Sequence, residues 1–364
     1  KQKNTLQNIL KELDLTQKKL TANLKLTASK ITQTTLTIEQ LDQNIAQKEQ
    51  QIGNDLTNVG QILREIDEMD RVSLPEIILT QKTTSQAWDQ VEQYIQLRDS
   101  TRAHVVDLRQ LQADLKDQRR QADQKRKELV ALQQDLSDQK VLIAANQKNK
   151  QALLAETKNT EANYQRILAQ KTAQRDAYEQ ELTNYESQLK FAIDPSQLPS
   201  VGSGVLKYPL DSVYITQYFG QTDFAKSSAA PYAGKGHNGI DLRASVGTPV
   251  KSAADGIVTG TGNTDLVCPH ASYGKWILIK HNNGLSTLYG HLSIIRVTAG
   301  QNVAVGETIA LSGQTGYALG AHLHFTVYAS QAVQISSYKS KICAGSYTMP
   351  LSPLNGYMNP LLYL

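Results

Sequence analysis

A seven-residue spacing of apolar side chains runs through the first part of the chain and returns downstream. Its members are Leu24, Ile31, Ile38, Ile45, Ile52, Val59 and Ile66, and then Leu108, Leu115, Ala122, Leu129, Leu136 and Ile143. Heptad spacing keeps an apolar seam facing one partner helix. The sequence therefore predicts two long coiled-coil helices. The heptad falters near Lys150, after which a 3–4 spacing resumes.

A change of composition near Lys190 divides the chain. Residues 1–190 hold only two of the 22 glycines and one of the ten prolines. The remainder consists of short apolar runs punctuated by glycine, which is typical of a compact, mostly β domain. We therefore predict a multidomain α plus β protein, with a coiled-coil hairpin over 1–190, a linker over 191–204 and a mostly antiparallel β domain over 205–364.

The segment between the two heptad runs carries a proline and a group of large apolar side chains. Pro75 suits the first turn of a helix, so one helix is expected to end and another to begin there, folding the two long helices back as an antiparallel hairpin. The apolar residues of the tip, roughly 72–105, exceed what a two-helix seam buries. The tip is expected to have a small core or to dock a partner. The candidate docking residues are Leu74, Ile77, Ile78, Trp88 and Tyr94.

Charge and hydropathy argue against a nucleic-acid-binding protein and against a membrane-spanning one. A net charge of +4 on 364 residues is too weak and diffuse to indicate nucleic-acid binding. No apolar stretch approaches the length of about 20 residues that a transmembrane helix needs. The chain begins at once with a charged, Gln-rich stretch, as a chain whose signal peptide has been removed would.

Six of the seven histidines lie in the C-terminal domain. His237 precedes Asp241 by four residues, and His291 lies at the end of a predicted strand. His322 and His324 are two apart in an apolar run, so on a strand both imidazoles point to one face. Zinc accepts imidazole nitrogen and carboxylate oxygen, and catalytic zinc typically has three protein ligands. These five residues form a plausible metal site.

The same motifs resemble a family. The order of His237–Asp241, Tyr289–Leu292 and Gly320–Phe325 is similar to that of lysostaphin/LytM-type zinc endopeptidases, which cut peptidoglycan cross-bridges. The resemblance implies a zinc ion held by His237, Asp241 and His324. It also implies that His291 and His322 act in proton transfer or stabilise the tetrahedral intermediate. Tyr232 is a further oxyanion candidate, with a wall aromatic as the alternative.

A coiled coil joined to a LytM-type domain resembles the division-associated murein hydrolases and murein hydrolase activators. The resemblance implies extracytoplasmic action on peptidoglycan in cell division or daughter-cell separation. Given the weak net charge as well, we expect no nucleic-acid partner. The resemblance also implies docking of the tip on a membrane-embedded division complex of ABC-transporter type. The alternatives are a non-catalytic activator of separate amidases and a coiled-coil adaptor.

The resemblance also bears on regulation and substrate. We expect the full chain to be less active than residues 205–364 alone, because relatives cover the catalytic groove with their own helix. Of the two substrate classes in this family, glycine bridges and D-Ala to diaminopimelate cross-links, the second is favoured by the division-type architecture. The motifs themselves select neither.

Cys268 lies in the stretch from Gly260 to Gly274, which is longer than a simple hairpin, and Cys343 lies in a Lys/Ser-rich loop near the end of the chain. In an extracytoplasmic setting Cys268 and Cys343 are expected to form one disulfide. A second zinc site that combines them with His270 is the alternative, although the sequence offers no fourth ligand.

Overall fold

A computed structural model describes residues 5–71, 83–189, 194, 196, 201–202, 204–220 and 236–364. Three helices come first: α1 (Leu6–Asp70), α2 (Thr84–Thr157) and α3 (Glu161–Glu186). None of the helices in this described part is long and apolar enough to cross a membrane. A mostly antiparallel β domain follows, which confirms the predicted fold class.

The break between α2 and α3 lies where the heptad falters. Lys158 and Asn159 have positive φ angles of 50° and 54°, a conformation that ends a helix. Thr160 then caps α3, since its hydroxyl accepts a hydrogen bond from the backbone N–H of Asn163. The 3–4 spacing downstream therefore belongs to a separate helix.

The chain forms two compact units, and residues Leu24–Ser137 make up one of them. Here α1 and α2 run antiparallel, as the ion pairs Arg126–Asp42 and Arg119–Glu49 show. These pairs are exposed and stabilise the hairpin little. Of the predicted seam residues in this unit, Ile52, Leu108 and Ala122 are buried and the others are half-buried. Three threonines outside the predicted seam are buried as well, namely Thr27, Thr34 and Thr101.

The second unit contains Lys1–Asn23 and Asp138–Leu364. The first turns of α1 and the last turns of α2 pair in it, since the Asn146 side chain donates to the carbonyl of Leu13 and Lys150 pairs with Asp14. The cluster of Leu20, Leu142 and Leu311 packs these helix ends against the β domain.

Ten of the twelve strands form one sheet with the main order β1-β2-β9-β6-β5-β4-β7, and β10 and β11 form a separate pair. On the main sheet β12 pairs with β9, while β8 pairs with β3 and β6. The strands are β1 (Ile215–Gln217), β2 (Ile240–Arg243), β3 (Pro249–Lys251), β4 (Gly256–Asn263), β5 (Lys275–His281), β6 (Leu285–Ile295), β7 (Asn302–Val303), β8 (Thr308–Ser312), β9 (His322–Ala329), β10 (Gln334–Lys339), β11 (Ser346–Leu351) and β12 (Tyr357–Met358).

Strand β6 differs from the sequence prediction. His291 was expected at the end of a strand, but β6 continues through it to Ile295. The residue has a φ of 60°, rare for a side chain other than glycine. The backbone N–H of His291 bonds to the carbonyl of Tyr273, and the strand shifts register against β5 and β8 close to this point. This irregularity changes the direction of the His291 side chain without ending the strand.

Helix α3 packs on the β domain. Tyr178 and Leu182 are buried in a cluster with Trp276 and Tyr328. Glu186 is 3% exposed and accepts a hydrogen bond from the Tyr357 hydroxyl at 2.7 Å. Because α3 contributes to this core, it is part of the same compact unit.

Candidate metal centre

Strand pairing positions the candidate metal ligands. Asp241 on β2 lies directly opposite His324 on β9, and opposed residues of an antiparallel pair point to the same face. His237 enters from the chain before β2, where it makes an isolated bridge with Gly220. The three side chains therefore converge on one face of the sheet although 87 positions separate His237 from His324.

The three donor atoms form a compact triangle. The His237 Nε2 atom lies 3.2 Å from His324 Nδ1 and 3.3 Å from Asp241 Oδ1, and the third side is 2.9 Å. Donors on a tetrahedral zinc with bonds of about 2.0–2.1 Å lie about 3.3 Å apart. All three residues are buried or nearly so. The triangle and the donor types fit zinc, with a coordination position left for a substrate or solvent oxygen.

Hydrogen bonds to the other ring nitrogens fix both histidines. His237 Nδ1 lies 3.1 Å from the carbonyl oxygen of Tyr218, and His324 Nε2 lies 2.9 Å from Thr326 Oγ1. A carbonyl accepts only, so Nδ1 of His237 carries the proton and Nε2 is free to bind metal. Such partners orient metal ligands. The hydroxyl of Thr326 thus holds the ring of His324 on the side away from the other two donors.

The charge states also favour a cation. Burial raises the pKa of Asp241, but the neighbouring His237 and His322 outweigh it and hold that pKa well below its usual range. Burial lowers the pKa of His324 to about 4, so its ring is neutral near pH 7. One carboxylate and neutral imidazoles are the protonation states that metal binding requires.

His291 is fully buried beside the triangle. Its Nδ1 lies 2.8 Å from the carbonyl oxygen of Thr315, while its Nε2 is buried with no hydrogen-bond partner among the described residues. Burial, and then the nearby His322 and His324, hold its pKa well below the usual value. A neutral ring with a free Nε2 lone pair is able to accept a proton.

His322 completes the group of five residues. Its ring centroid lies 4.6 Å from that of His291, and its Nδ1 lies 2.8 Å from the carbonyl oxygen of Gly320. Its Nε2 is 3.6 Å from Asp241 Oδ1. The structure thus brings together all five histidine and aspartate residues that the sequence singled out, with both non-ligand rings tied through Nδ1.

Several residues near the site were not found from the sequence. A cleft of about 290 Å³ beside Asp241 and His322 is lined also by Arg175 of α3, Arg243 of β2 and Tyr317. No motif marks these positions, because their role depends on which elements pack together. Tyr232, the oxyanion candidate, lies outside the described residues.

Glu179 of α3 lies next to Tyr317, which lines the cleft. It is 5% exposed and accepts a hydrogen bond from Tyr317. Burial raises its pKa to about 7, while the charge of His237 acts in the opposite direction. An acidic side chain of α3 is therefore an electrostatic neighbour of a candidate metal ligand.

The remaining candidates lie away from this centre. Cys268 and Cys343 are joined in a disulfide, so no thiolate is left for a second zinc site with His270. At the tip, Trp88 is 71% exposed, and the Tyr94 hydroxyl donates to Asp70 at 2.5 Å. The other docking candidates, Leu74, Ile77 and Ile78, lie outside the described residues.

An antiparallel sheet that brings two histidines and one aspartate together in a triangle compatible with zinc, with two further histidines beside them, is typical of a metallohydrolase site. Residues 235–335 match peptidase family M23, and this segment contains His237, Asp241 and His324, whose donor set fits zinc. The resemblance drawn from the motifs is thereby confirmed.

Two curated relatives and one solved structure illustrate the match. Peptidoglycan DD-endopeptidase ShyA of Vibrio cholerae is 44% identical over 89 residues, which is 24% of this chain and 19% of ShyA. Cell division protein DipM of Caulobacter vibrioides is 32% identical over 130 residues, 36% of this chain and 19% of DipM. A zinc-containing peptidase from Vibrio cholerae is 36% identical, with 34% of this chain and 36% of that chain covered and a TM-score of 0.29. The chain thus spans about a fifth of the length of both curated relatives.

Proposed function

We propose that the protein is a zinc-dependent endopeptidase that hydrolyses peptide cross-links of peptidoglycan. The observation that carries this proposal is the donor triangle of His237, Asp241 and His324 with two further histidines, His291 and His322, beside it. The M23 match and the name of the relative ShyA support peptidoglycan as the substrate.

The roles of the side chains follow from their hydrogen bonds. When bound, zinc supplies a Lewis acid that polarises the scissile carbonyl and activates water. The free Nε2 of His291 accepts the proton that the attacking water loses, because its Nδ1–H is held by Thr315. His322 lines the cleft, and its Nδ1–H is likewise held by a carbonyl, that of Gly320. Its role is therefore that of an imidazolium, whose protonated Nε2 donates a hydrogen bond to the developing oxyanion or a proton to the departing amine.

Digestion of purified peptidoglycan tests the proposal. We expect the wild-type chain to release free amines from the cross-links, identified by mass spectrometry of the muropeptides that a muramidase then frees. His322→Ala and His291→Ala are expected to lower the rate at least about 100-fold, as loss of a general acid or base does. His104→Ala, an exposed histidine of α2, is the matched control. No release by the wild type, with stimulation of an added amidase, would support the activator alternative.

Restraint of the enzyme by α3 is part of the proposal. Arg175 and Glu179 of this helix lie in or beside the cleft, and the buried Tyr178 and Leu182 hold the helix on the β domain. Substrate must share this space, so docked α3 is expected to lower activity. Release of α3 then provides a means of control.

A core substitution in α3 tests the restraint without altering the cleft. Leu182→Ala is expected to weaken docking by about 2–5 kcal/mol and to raise the rate of peptidoglycan cleavage. Leu63→Ala, at an exposed leucine of α1, is the matched control. An unchanged rate, with increased protease sensitivity of α3 showing that the helix had been released, would contradict the restraint.

The cellular role is proposed from the architecture and from the relative DipM, whose name places it in cell division. We place the protein on the extracytoplasmic side, with its tip docked on a membrane-embedded division complex of ABC-transporter type. The exposed Trp88 supports a docking role for the tip. Trp88→Ala is expected to weaken binding to the extracytoplasmic part of such a complex about tenfold or more, measured by biolayer interferometry.

A further inference from the structure

Arg243 lies on the same face of the sheet as the metal centre. It is the last residue of β2 and stands directly opposite His322 of β9, just as Asp241 stands opposite His324. Alternate residues of a strand share a face, so Asp241 and Arg243 point to the same side. The side chain lines the cleft together with His322 and Gln217.

The guanidinium of Arg243 is held by an aromatic ring. Its Cζ atom lies 4.3 Å from the centroid of the Tyr214 ring, and its backbone N–H donates to the carbonyl of the same residue. Stacking on a ring orients the planar guanidinium and leaves its edge N–H groups free to donate. The side chain is exposed. Its donors therefore reach the open part of the cleft.

No carboxylate in the described part of the chain forms an ion pair with Arg243. The other arginine of the cleft, Arg175, is 5% exposed and binds Asp176 at 2.7 Å. The other arginine of the β domain, Arg296, binds Asp138 at 2.7 Å. Arg243 thus differs from both, because its charge is available to a molecule that enters the cleft.

We propose that Arg243 binds a free carboxylate of the substrate peptide, on the residue next to the bond that is cut; this inference rests on the proposed function. Opposed residues of an antiparallel pair lie about 5 Å apart, so a guanidinium beside His322 reaches a group one residue from the reacting carbonyl. Arginine binds a carboxylate through two parallel N–H donors.

The two classes of cross-link differ in whether a free carboxylate lies next to the scissile amide. In a D-Ala to diaminopimelate cross-link, the residue on the amine side keeps a free α-carboxylate beside the scissile amide. A glycine bridge presents no carboxylate there. Arg243 therefore selects cross-links whose amine-side residue is acidic, and it discriminates against amidated forms of that residue.

A pair of synthetic cross-linked peptides tests this assignment in the full chain. One has the free α-carboxylate next to the scissile D-Ala amide, and the other has the same carboxylate amidated. We expect the kcat/KM of the wild type to be about 10- to 100-fold higher for the acid peptide than for the amide peptide. This is the size of effect expected from one hydrogen bond to a charged group. Closure of the cleft by α3 lowers both rates by the same factor and cancels from the ratio.

Substitutions assign the preference to the side chain. Arg243→Gln is expected to reduce the ratio to near one by loss of activity on the acid peptide, with activity on the amide retained. Arg243→Lys keeps the charge without the planar fork and is expected to retain part of the preference. Arg166→Gln, at an exposed arginine of α3, is the matched control and keeps the wild-type ratio.

Other outcomes overturn the assignment. Equal kcat/KM for acid and amide in the wild type would do so, as would an undiminished ratio in Arg243→Gln. A third peptide, amidated only at the stem glutamate, shows which of the two carboxylates Arg243 binds. A fall in kcat/KM for this peptide alone would place the contact at the stem glutamate and not beside the scissile bond. If the wild type cuts no peptide, the proposed function fails. In that case the binding of labelled acid and amide peptides, measured by fluorescence anisotropy, tests the Arg243 contact on its own. Loss of the preference for the acid peptide in Arg243→Gln would support the contact, and retention of that preference would overturn it.

Discussion

Glu186 couples the packing of α3 to pH. Its carboxyl group is 3% exposed, its Oε1 accepts from the Tyr357 hydroxyl at 2.7 Å, and the Ser352 backbone N–H approaches it at 3.4 Å. Burial raises its pKa from 4.5 to about 8, against the effect of these two hydrogen bonds. The folded chain therefore keeps a proton here that the unfolded chain has released.

The sign and size of the effect follow from proton linkage. Between pH 4.5 and about 8 the folded state binds more protons than the unfolded state, so stability falls as pH rises. The slope is about 1.4 kcal/mol per pH unit, with an upper limit near 5 kcal/mol over the whole window. Below pH 4.5 the contribution is complete, and above about pH 8 it is lost.

Substitution by glutamine removes the titration but keeps an acceptor for Tyr357. We expect Glu186→Gln to be more stable than the wild type at pH 8 and to show a flatter pH dependence. The assay is urea unfolding of the full chain from pH 5 to 8.5, followed by near-ultraviolet circular dichroism of the tyrosine-rich cluster around α3.

Two further variants isolate the contribution of Glu186. Glu179→Gln is expected to remove a similar slope that ends near pH 7, because burial raises the pKa of Glu179 to about 7. Glu92→Gln, an exposed carboxylate of α2, is the matched control and leaves the slope unchanged. A Glu186→Gln slope equal to that of the wild type would refute the reasoning.

Two other predictions concern the zinc centre and the disulfide. Thr326→Val removes the oxygen that holds Nε2 of His324, so zinc affinity is expected to fall about 10- to 100-fold in chelator competition; Thr348→Val, at an exposed threonine of β11, is the control. Cys268→Ser breaks the bond to Cys343 and is expected to destabilise the chain by about 2–5 kcal/mol in denaturant titration. Reduction of the wild type is expected to lower its stability by the same amount as the substitution does. An unchanged unfolding midpoint in Cys268→Ser would contradict the prediction.

A short-range rule predicted part of the candidate site, whereas the choice of His237, Asp241 and His324 as ligands came from the family resemblance. Alternation along a strand placed His322 and His324 on one face, and β9 has this geometry. The pairing of β2 with β9 could not be read from the sequence, since it depends on contacts between residues some 80 positions apart. The same holds for the positive φ of His291, which only the surrounding strands maintain.

The packing of α3 on the β domain could not be predicted from its sequence pattern. Tyr164, Tyr178 and Leu182 have the 3–4 spacing of a coiled-coil seam, and the sequence alone gave no reason to separate them from it. In the structure Tyr178 and Leu182 pack against the β domain instead. Local periodicity reports an apolar face, but it does not report which partner covers that face.

Zinc content per chain tests the central claim most directly. Inductively coupled plasma mass spectrometry of the purified wild-type chain is expected to give one zinc per chain, with almost none in Asp241→Ala and one retained in His291→Ala. These results would follow from a centre that His237, Asp241 and His324 hold without His291. A wild-type chain that binds no zinc when supplied with it, or full occupancy in Asp241→Ala, would contradict the account.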